Sequence, residues 1–170
     1  RKMSLYVHIP FCKSMCHYCD FAKTANWSKS TVDSYFFFLS QHLHHWLEYI
    51  VKDQGYMIQS LFFGGGTPSL FTTKISQLLD NISPYLAGSS ETTIEANPDD
   101  ITTSNVLAWK NAGVNRISIG IQSFSNKALH FLKREHSPNM AFQGIDRVAT
   151  HFKNWSCDFI YGWPGQKQGE

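Results

Sequence analysis

The stretch "SLYVHIPFCKSMCHYCDF", residues 4–21, joins a short β-rich run to a loop that carries three of the chain's four cysteines. The three are spaced C-x3-C-x2-C, at Cys12, Cys16 and Cys19. A disulfide scaffold needs an even number of cysteines, and a structural zinc site needs four ligands. Three thiolates on one loop can instead bind three irons of a cubane iron–sulfur cluster and leave the fourth iron open to a small molecule.

A zinc knuckle is the alternative interpretation of this loop, with His17 or Cys157 as the fourth ligand. The spacing does not match the paired C-x2-C arrangement that zinc sites usually show. Cys157 lies in an apolar run, so we predict a small buried residue there rather than a ligand. Clustered cysteines without pairing partners fit a reducing compartment, which predicts a cytoplasmic protein.

Composition restricts the class of protein further. The chain has 170 residues, of which 42% are hydrophobic and 16% charged, which is enough apolar material for a substantial core. The net charge of +2 predicts no nucleic-acid partner. No apolar run approaches 18 residues, so no membrane span is expected, and no secretory h-region precedes the first strand.

Along the chain, strand patterns alternate with helix patterns. Strands are predicted over residues 4–9, 60–63, 91–96, 116–122 and 157–162. Helices are predicted from Ser30 to about Ile50, and over residues 74–86, 103–113, 126–132 and 140–152. This alternation predicts a parallel α/β sheet, either doubly wound or rolled into a barrel. A full barrel usually takes more than about 200 residues, so we interpret residues 1–170 as the N-terminal portion of a larger domain.

The first helix is expected to begin with Ser30 as its cap, with Asp33 three residues further on. Apolar residues at i, i+3 and i+4 spacing predict one core face: Val32, Tyr35, Phe36, Leu39, Leu43, Trp46, Leu47 and Ile50. That phase puts His42 and His45 on the solvent side rather than in a haem or metal site. The other tryptophans follow no period and are interpreted as packing residues: Trp27, Trp109, Trp155 and Trp163.

Unusual polar residues fall at the ends of successive strands, where parallel α/β folds gather their chemistry. The cysteine loop follows the first strand and "GGGTP" (64–68) the second, and the later strands end in Glu95, Gln122 and Asp158. The glycines allow close backbone approach by a ligand with polar ends, such as an amino acid, or simply a tight turn. The segment lacks the lysine of a P-loop, so it does not predict a nucleotide-phosphate site.

Several of these residues also have ordinary interpretations. Glu95, before Asn-Pro, could form a loop salt bridge, and Arg134 in "FLKREHS" could be a surface charge at a helix end. Gln122 and Asp158 lie in or beside apolar strands, where an unpaired polar group would be costly, and this favours a functional role for both.

Five motifs in order, "YVHIPFCKSMCHYCDF", "FFGGGTPS", "TIEANPDD", "RISIGIQSF" and "DFIYGWPGQ", resemble the radical S-adenosylmethionine (SAM) superfamily. The resemblance implies a partial (β/α) barrel, here truncated after about five strands. It also implies a [4Fe–4S] cluster whose open iron binds SAM, and a reductive cleavage of SAM that generates a radical. The protein itself supplies orientation and exclusion of water.

The resemblance also assigns roles residue by residue. It implies that Cys12, Cys16 and Cys19 ligate the cluster. Tyr18 is expected near the adenine and Tyr6 on the cluster side of the pocket. The cofactor's methionine end is expected at Gly65, Gly66 and Thr67, with Glu95 as a further contact. For Gln122, Arg134 and Asp158 the resemblance implies contacts to a second SAM, as in the oxygen-independent coproporphyrinogen III oxidase of this superfamily. The family usually has glycine at the position of Lys133, so the loop around Arg134 departs from the pattern.

Within the superfamily, the motifs resemble the branch that contains oxygen-independent coproporphyrinogen III oxidase and the haem chaperones of the HemW family. In the oxidase the third cluster cysteine is followed by one residue and then a fourth cysteine, as C-x-C, whereas Cys19 here is followed by Asp20 and Phe21. This favours haem binding and delivery, with haem, haem-accepting apoproteins and an electron donor such as a flavodoxin as partners. The alternatives are the oxidase itself, which would make the protein an enzyme of porphyrin biosynthesis, and an iron–sulfur electron carrier without radical chemistry.

Overall fold

The computed structural model describes residues 1–167 and consists of a β-sheet flanked by helices. Its strands are β1 (Lys2–Ile9), β2 (Met57–Gly65), β3 (Leu86–Ala96), β4 (Arg116–Gln122) and β5 (Asn154–Phe159). Its α-helices are α1 (Lys29–Leu47), α2 (Thr72–Ile82), α3 (Thr103–Asn111), α4 (Asn126–Phe131) and α5 (Pro138–His151). A π-helical turn, Glu48–Asp53, extends α1, and short 3-10 turns lie at Pro68–Phe71, Ser83–Tyr85 and Pro98–Asp100.

The strands pair in the order β1-β2-β3-β4-β5, and every pair is parallel. A doubly wound sheet reverses its strand order at a switch point, whereas a (β/α) barrel adds each strand beside the one before it. The consecutive order therefore decides between the two predicted architectures and confirms the partial barrel. β1 and β5 form its two edges.

The two faces of the sheet have different side chains because side chains alternate along each strand. One face is apolar and packs against the helices; fully buried examples are Leu61, Ile94, Ile117 and Ile119. The opposite face is more polar, and the register places side by side on it Ser4, Ser60, Glu91, Arg116 and Ser156. Burial of each aliphatic side chain contributes about 1.5–3 kcal/mol, so the apolar face stabilises the sheet while the opposite face can carry polar groups.

Two predictions about α1 were wrong. The cap is Ser28, whose side chain accepts a hydrogen bond from the Thr31 backbone N–H at 3.1 Å, and the helix begins before Ser30. Trp46 is 44% exposed, because the i+4 step from Leu43 places Leu47 on the core side instead. The Trp46 ring packs against the rings of His42 and His45, which are both exposed as predicted.

The last strand was predicted three residues too late. The apolar letters of residues 157–162 suggested the strand, but pairing with β4 runs from Arg116–Asn154 to Gln122–Phe159. Cys157 consequently lies within β5, where it is half-buried against the core, as expected of a small packing residue. Of the tryptophans interpreted as packing residues, Trp109 is fully buried and Trp155 lies at the sheet edge, 37% exposed.

Candidate functional site

A cavity lies at the carboxyl ends of the strands. All of the predicted site residues except Tyr6 line it: Cys12, Cys16, Tyr18, Cys19, Gly65, Gly66, Thr67, Glu95, Gln122, Arg134 and Asp158. Because these residues come from five successive strand ends, the parallel order of the sheet is what brings them together.

The cysteine loop is held at its base by main-chain hydrogen bonds. The Thr24 N–H donates to Pro10 O at 2.8 Å, and the Cys12 N–H donates to Thr24 O at 2.9 Å. The indole Nε1–H of Trp27 donates to Cys12 O at 2.7 Å, and the Lys23 ammonium donates to Cys19 O. These hydrogen bonds join the two ends of the loop and thereby fix the segment that carries the three cysteines.

Lys13 ties this loop to the segment after β3. Its ammonium lies 2.8 Å from Asp99 Oδ2 and 2.7 Å from Asp100 Oδ1. Burial alone would lower the pKa of Lys13, but the hydrogen bonds that its ammonium donates to Asp100 and Asp99 outweigh burial and raise the pKa. Asp100 is itself buried and accepts a hydrogen bond from Ser69 Oγ at 2.7 Å, so the tether is anchored in the core.

The three thiols are free and all face the same cavity. Within residues 1–167, no three His, Cys, Asp or Glu side chains converge closely enough to hold a single metal ion. Each thiolate of a cubane binds a different iron, so three separate thiols that line one cavity fit such a cluster. Burial raises the pKa of the Cys12 thiol, against a hydrogen bond from Thr67, so ligation there would release a proton.

The glycine segment crosses the base of the cavity. Gly65 has φ 119°, in the region that favours glycine, and a Cβ there would lie 2.7 Å from the His8 ring. A Cβ on Gly66 would lie 2.8 Å from Phe11 O. Thr67 is buried beside Cys12. The strand and the cysteine loop can approach this closely only because side chains are missing from both glycines.

Glu95 accepts a hydrogen bond from the Gly65 N–H at 3.1 Å. Burial raises the pKa of its carboxyl, the Gly65 bond opposes the increase, and the negative charge of Asp158 adds to it. The predicted alternative, a loop salt bridge, is not present among the described residues. Glu95 therefore joins the glycine segment to the polar strand ends and can accept hydrogen bonds from a cationic or amine-bearing ligand.

Gln122 lies at a break in the regular strand. Its φ is 65°, and the Ser123 N–H donates to Ile121 O at 2.8 Å, which makes a γ-turn centred on Gln122. Such a conformation in a non-glycine residue is strained and persists only where neighbours hold it. His136 is one of these neighbours, because its Nε2 lies 3.0 Å from the same Ile121 oxygen.

Arg134 is partly buried, which excludes the interpretation as a surface charge at a helix end. Its Nη2 donates to Asn97 Oδ1 at 2.6 Å and to Gly120 O at 2.8 Å. Its Nη1 lies 3.5 Å from the Tyr18 hydroxyl and 3.9 Å from Cys16 Sγ. Lys133, just before it, has φ 53°, which explains why glycine is usual at this position in the family that the sequence resembles.

The remaining predicted residues differ in their surroundings. Asp158 is exposed and accepts a hydrogen bond from Ser118 Oγ at 3.3 Å, so the expected desolvation cost does not apply to it. Burial raises the pKa of Tyr18 to about 12 in spite of the opposing charge of Arg134. Tyr6 lies outside the cavity lining, with its hydroxyl 3.0 Å from His8 Nδ1 and its ring stacked on Phe62.

Sequence reasoning missed three residues that organise the site: Lys13, Asn97 and His136. Lys13 lies between two cysteines of the loop and Asn97 lies between Ala96 and Pro98, and neither was assigned a role from the sequence. A polar amide directly after Glu95, at a strand end, was a usable signal for Asn97. For His136 the sequence carried no such signal, since its partner Ile121 is remote in sequence.

With this geometry in place, comparison with known proteins identifies the family. The sequence matches the radical SAM superfamily over residues 6–170, and the chain belongs to that superfamily. Membership implies a [4Fe–4S] cluster and SAM, and both fit the free thiols and the glycine-lined cavity beside them.

Individual relatives are more specific. The chain is 39% identical to the heme chaperone HemW of Bacillus subtilis, over 96% of this chain and 43% of that protein. It is 38% identical to the heme chaperone HemW of Escherichia coli, over 99% of this chain and 45% of that protein. The solved coproporphyrinogen III oxidase (HemN) of Escherichia coli has a TM-score of 0.87 at 29% identity, over 98% of this chain and 38% of that one. The chain thus spans less than half the length of these relatives.

Within residues 1–167, no helix is both long enough and apolar enough to cross a membrane.

Proposed function

We propose that the protein containing this chain is a radical SAM iron–sulfur protein of the haem chaperone branch. It binds a [4Fe–4S] cluster through Cys12, Cys16 and Cys19, binds SAM, and binds haem for delivery to apoproteins. One observation carries the cofactor part of this proposal: the three thiols share a cavity with the polar ends of the other four strands. The two relatives named as heme chaperones support the haem part.

Each part of the cavity has a role in this proposal. When bound, the cluster would supply an open iron for the methionyl group of SAM and an electron for its cleavage. Gly65, Gly66 and Thr67 would let that group approach the backbone, and Glu95 would accept hydrogen bonds from its amine. Tyr18 would contact the adenine, whereas Tyr6, outside the cavity lining, would support the pocket from the sheet. The polar side chains of Gln122, Arg134 and Asp158 also line the cavity, where the resemblance suggests a second SAM.

Phe21 is the residue that separates the haem chaperone from the oxidase. It is 66% exposed and lines the cavity two residues after Cys19, at the place where the oxidase pattern has a further cysteine. A phenyl ring cannot supply a thiol, and its size changes the cavity wall. Cofactor binding is compatible with this ring, but we infer that the successive decarboxylations of the oxidase are not.

The oxidase is the second candidate function, because the solved oxidase has the same fold over nearly the whole chain. In that case the protein would be an enzyme of porphyrin biosynthesis. An electron carrier without radical chemistry is less well supported, since a carrier has no need of the polar cavity beside the thiols. A cytoplasmic location and an electron donor such as a flavodoxin complete the proposal.

The test uses the full-length protein, reconstituted anaerobically with iron and sulfide. SAM should change the EPR spectrum of the reduced cluster, whereas the cluster of a simple carrier would ignore it. Haem titration should then give a saturable absorbance change. Incubation with reductant, SAM and coproporphyrinogen III, followed by chromatography of the porphyrins, should show no conversion. Stoichiometric protoporphyrinogen would restore the oxidase while leaving the cofactor sites intact.

A further inference from the structure

Arg134 is held with its guanidinium group against the cysteine loop. Its Nη2 is anchored by two neutral acceptors, Asn97 Oδ1 at 2.6 Å and Gly120 O at 2.8 Å. Its Nη1 extends to within 3.9 Å of Cys16 Sγ. The anchoring fixes one edge of the guanidinium group and thereby directs the other edge towards a predicted cluster ligand.

Within residues 1–167, the guanidinium charge of Arg134 has no counter-ion. None of the ion pairs in this part of the chain includes Arg134, whereas Lys13, another cation that lines the cavity, is paired with Asp99 and Asp100. The Nε of Arg134 is also buried without a hydrogen-bond partner in this part of the chain. A partly buried cation without a counter-ion is costly unless the site receives negative charge.

Cluster binding would supply that negative charge at Cys16. As a thiol, Cys16 donates to Lys133 O at 3.7 Å. As a thiolate ligand it has no proton to donate, and its sulfur becomes an acceptor beside the Nη1–H of Arg134. The contact then changes from a thiol next to a cation into a charge-assisted interaction.

We propose that Arg134 raises the reduction potential of the cluster held by the cysteine loop. Reduction adds one electron to the cluster, and a fixed positive charge beside one of its sulfurs stabilises the reduced form. Net charge, hydrogen bonds to the sulfurs and solvent exposure set the potentials of such clusters, and Arg134 affects the first two. This inference rests on the proposed cluster binding and adds to Arg134 a role that does not require SAM.

The experiment is an EPR-monitored redox titration of the reconstituted full-length protein without SAM, so that any effect of Arg134 on SAM binding is excluded. Arg134→Gln removes the charge and should shift the midpoint to more negative potential. We expect at least a tenfold loss in the equilibrium constant for reduction, which corresponds to about 59 mV for one electron. Arg134→Lys keeps the charge and should retain most of the wild-type potential.

Lys133→Gln is the matched control, because it removes the same charge from the adjacent, exposed position. Solvent screens that charge, so its shift should be much smaller. Asn97→Asp is the second test: it keeps Arg134 and its contact but adds a compensating negative charge, and should also lower the potential.

The outcomes are distinguishable. If wild-type protein takes up no cluster, the proposed function fails. If Arg134→Gln holds a full cluster at the wild-type potential, or Lys133→Gln shifts the potential equally, only the role of Arg134 is overturned. If Arg134→Gln cannot hold a cluster, the test rests on the reduction potential of Asn97→Asp. A lowered potential in that variant supports the role of Arg134, and an unchanged potential overturns it.

Discussion

At Gly65 a single missing side chain allows the site to form. The residue ends β2 with φ 119°, and a Cβ would lie 2.7 Å from the His8 ring and 3.0 Å from Ile9 O. The first contact could relax by a ring movement, but the second is with backbone and the dihedral angle is unfavourable for any other residue. The segment of the cavity expected to receive SAM therefore depends on glycine here for both reasons.

We predict that Gly65→Ala lowers the free energy of unfolding by about 1–3 kcal/mol, the usual cost of a strained backbone conformation. SAM binding should weaken as well, because the segment must move away from β1. Urea denaturation and SAM titration of the full-length protein measure the two effects. Gly88→Ala is the control, since nothing lies within 4 Å of a Cβ at that exposed position. Equal effects at Gly65 and Gly88 would contradict the argument.

His136 is a buried histidine that supports the strained turn at Gln122. It is 3% exposed, and its pKa is lowered to about 4, mainly by burial and also by the positive charge of Arg134. The hydrogen bond to Ile121 O and the negative charge of Asp99 oppose this decrease of the pKa. The ring is therefore neutral at pH 7, with Nε2–H as the donor to Ile121 O.

This lowered pKa predicts a pH-dependent stability. Between the ordinary value of 6.5 and about 4, the unfolded chain binds a proton at His136 that the folded chain does not. The stabilisation is present above pH 6.5 and is lost as the pH falls, by up to about 1.4 kcal/mol per pH unit. His136→Gln keeps an amide donor for Ile121 O but cannot titrate. Urea denaturation from pH 7 to 4.5 should give a flatter profile for this variant, and parallel profiles would contradict the assignment.

At the scale of elements, α1 shows where local sequence signals mislead. Ser28 and Ser30 are both plausible caps by residue type, and only the observed hydrogen bond from Thr31 N–H identifies Ser28. The apolar stripe was ambiguous in the same way, because Trp46 and Leu47 are adjacent and only one can face the core. Tertiary packing decides which of these two faces the core, whereas a local hydrogen bond that residue type alone does not specify decides the cap.

We predict that Ser28→Ala lowers the free energy of unfolding by about 1 kcal/mol, because the Thr31 N–H loses its side-chain acceptor. Ser30→Ala should change it by less than about 0.5 kcal/mol, since Ser30 is exposed and lies inside the first turn. Thermal or urea denaturation of the two variants in parallel provides the comparison. A larger loss for Ser30→Ala would mean that the helix begins where the sequence pattern placed it.

The bounds of β5 could not be predicted for a different physical reason. Asn154 and Ser156 are weak strand formers, yet they pair with Arg116 and Ser118 because the sheet register requires it. By contrast, β4 was predicted with its observed bounds, since its apolar alternation is set by burial within one strand. The apolar period of a buried strand such as β4 therefore predicts its bounds. The bounds of β5 depend instead on its pairing with β4, which the sequence of β5 alone does not show.

At the scale of the whole molecule, the consecutive strand order explains why most of the candidate site could be predicted. A parallel sheet brings all its carboxyl ends to one side, so Glu95, Gln122 and Asp158 could be assigned to one cavity before any distance was known. The supporting contacts could not be assigned in this way. The pairs Lys13–Asp100 and Arg134–Asn97 join segments far apart in sequence, and only the folded chain reveals them.

The same architecture predicts an unequal importance of the four cysteines. Anaerobic reconstitution of the full-length protein should give one [4Fe–4S] cluster per chain. Alanine at Cys12, Cys16 or Cys19 should each abolish the cubane, because a three-thiolate site has no spare ligand. Cys157→Ala should retain it, since Cys157 lies within β5, packs against the core and does not line the cavity.

Iron and acid-labile sulfide content, together with the EPR spectrum of the reduced protein, measure the outcome for each variant. Circular dichroism of the same samples separates loss of a ligand from loss of the fold. Cys157→Ala also removes a half-buried thiol, so a modest loss of stability is expected there without loss of iron. Loss of the cluster in Cys157→Ala, with a folded protein, would mean that β5 supplies a fourth ligand. The open iron on which SAM binding depends would then not exist.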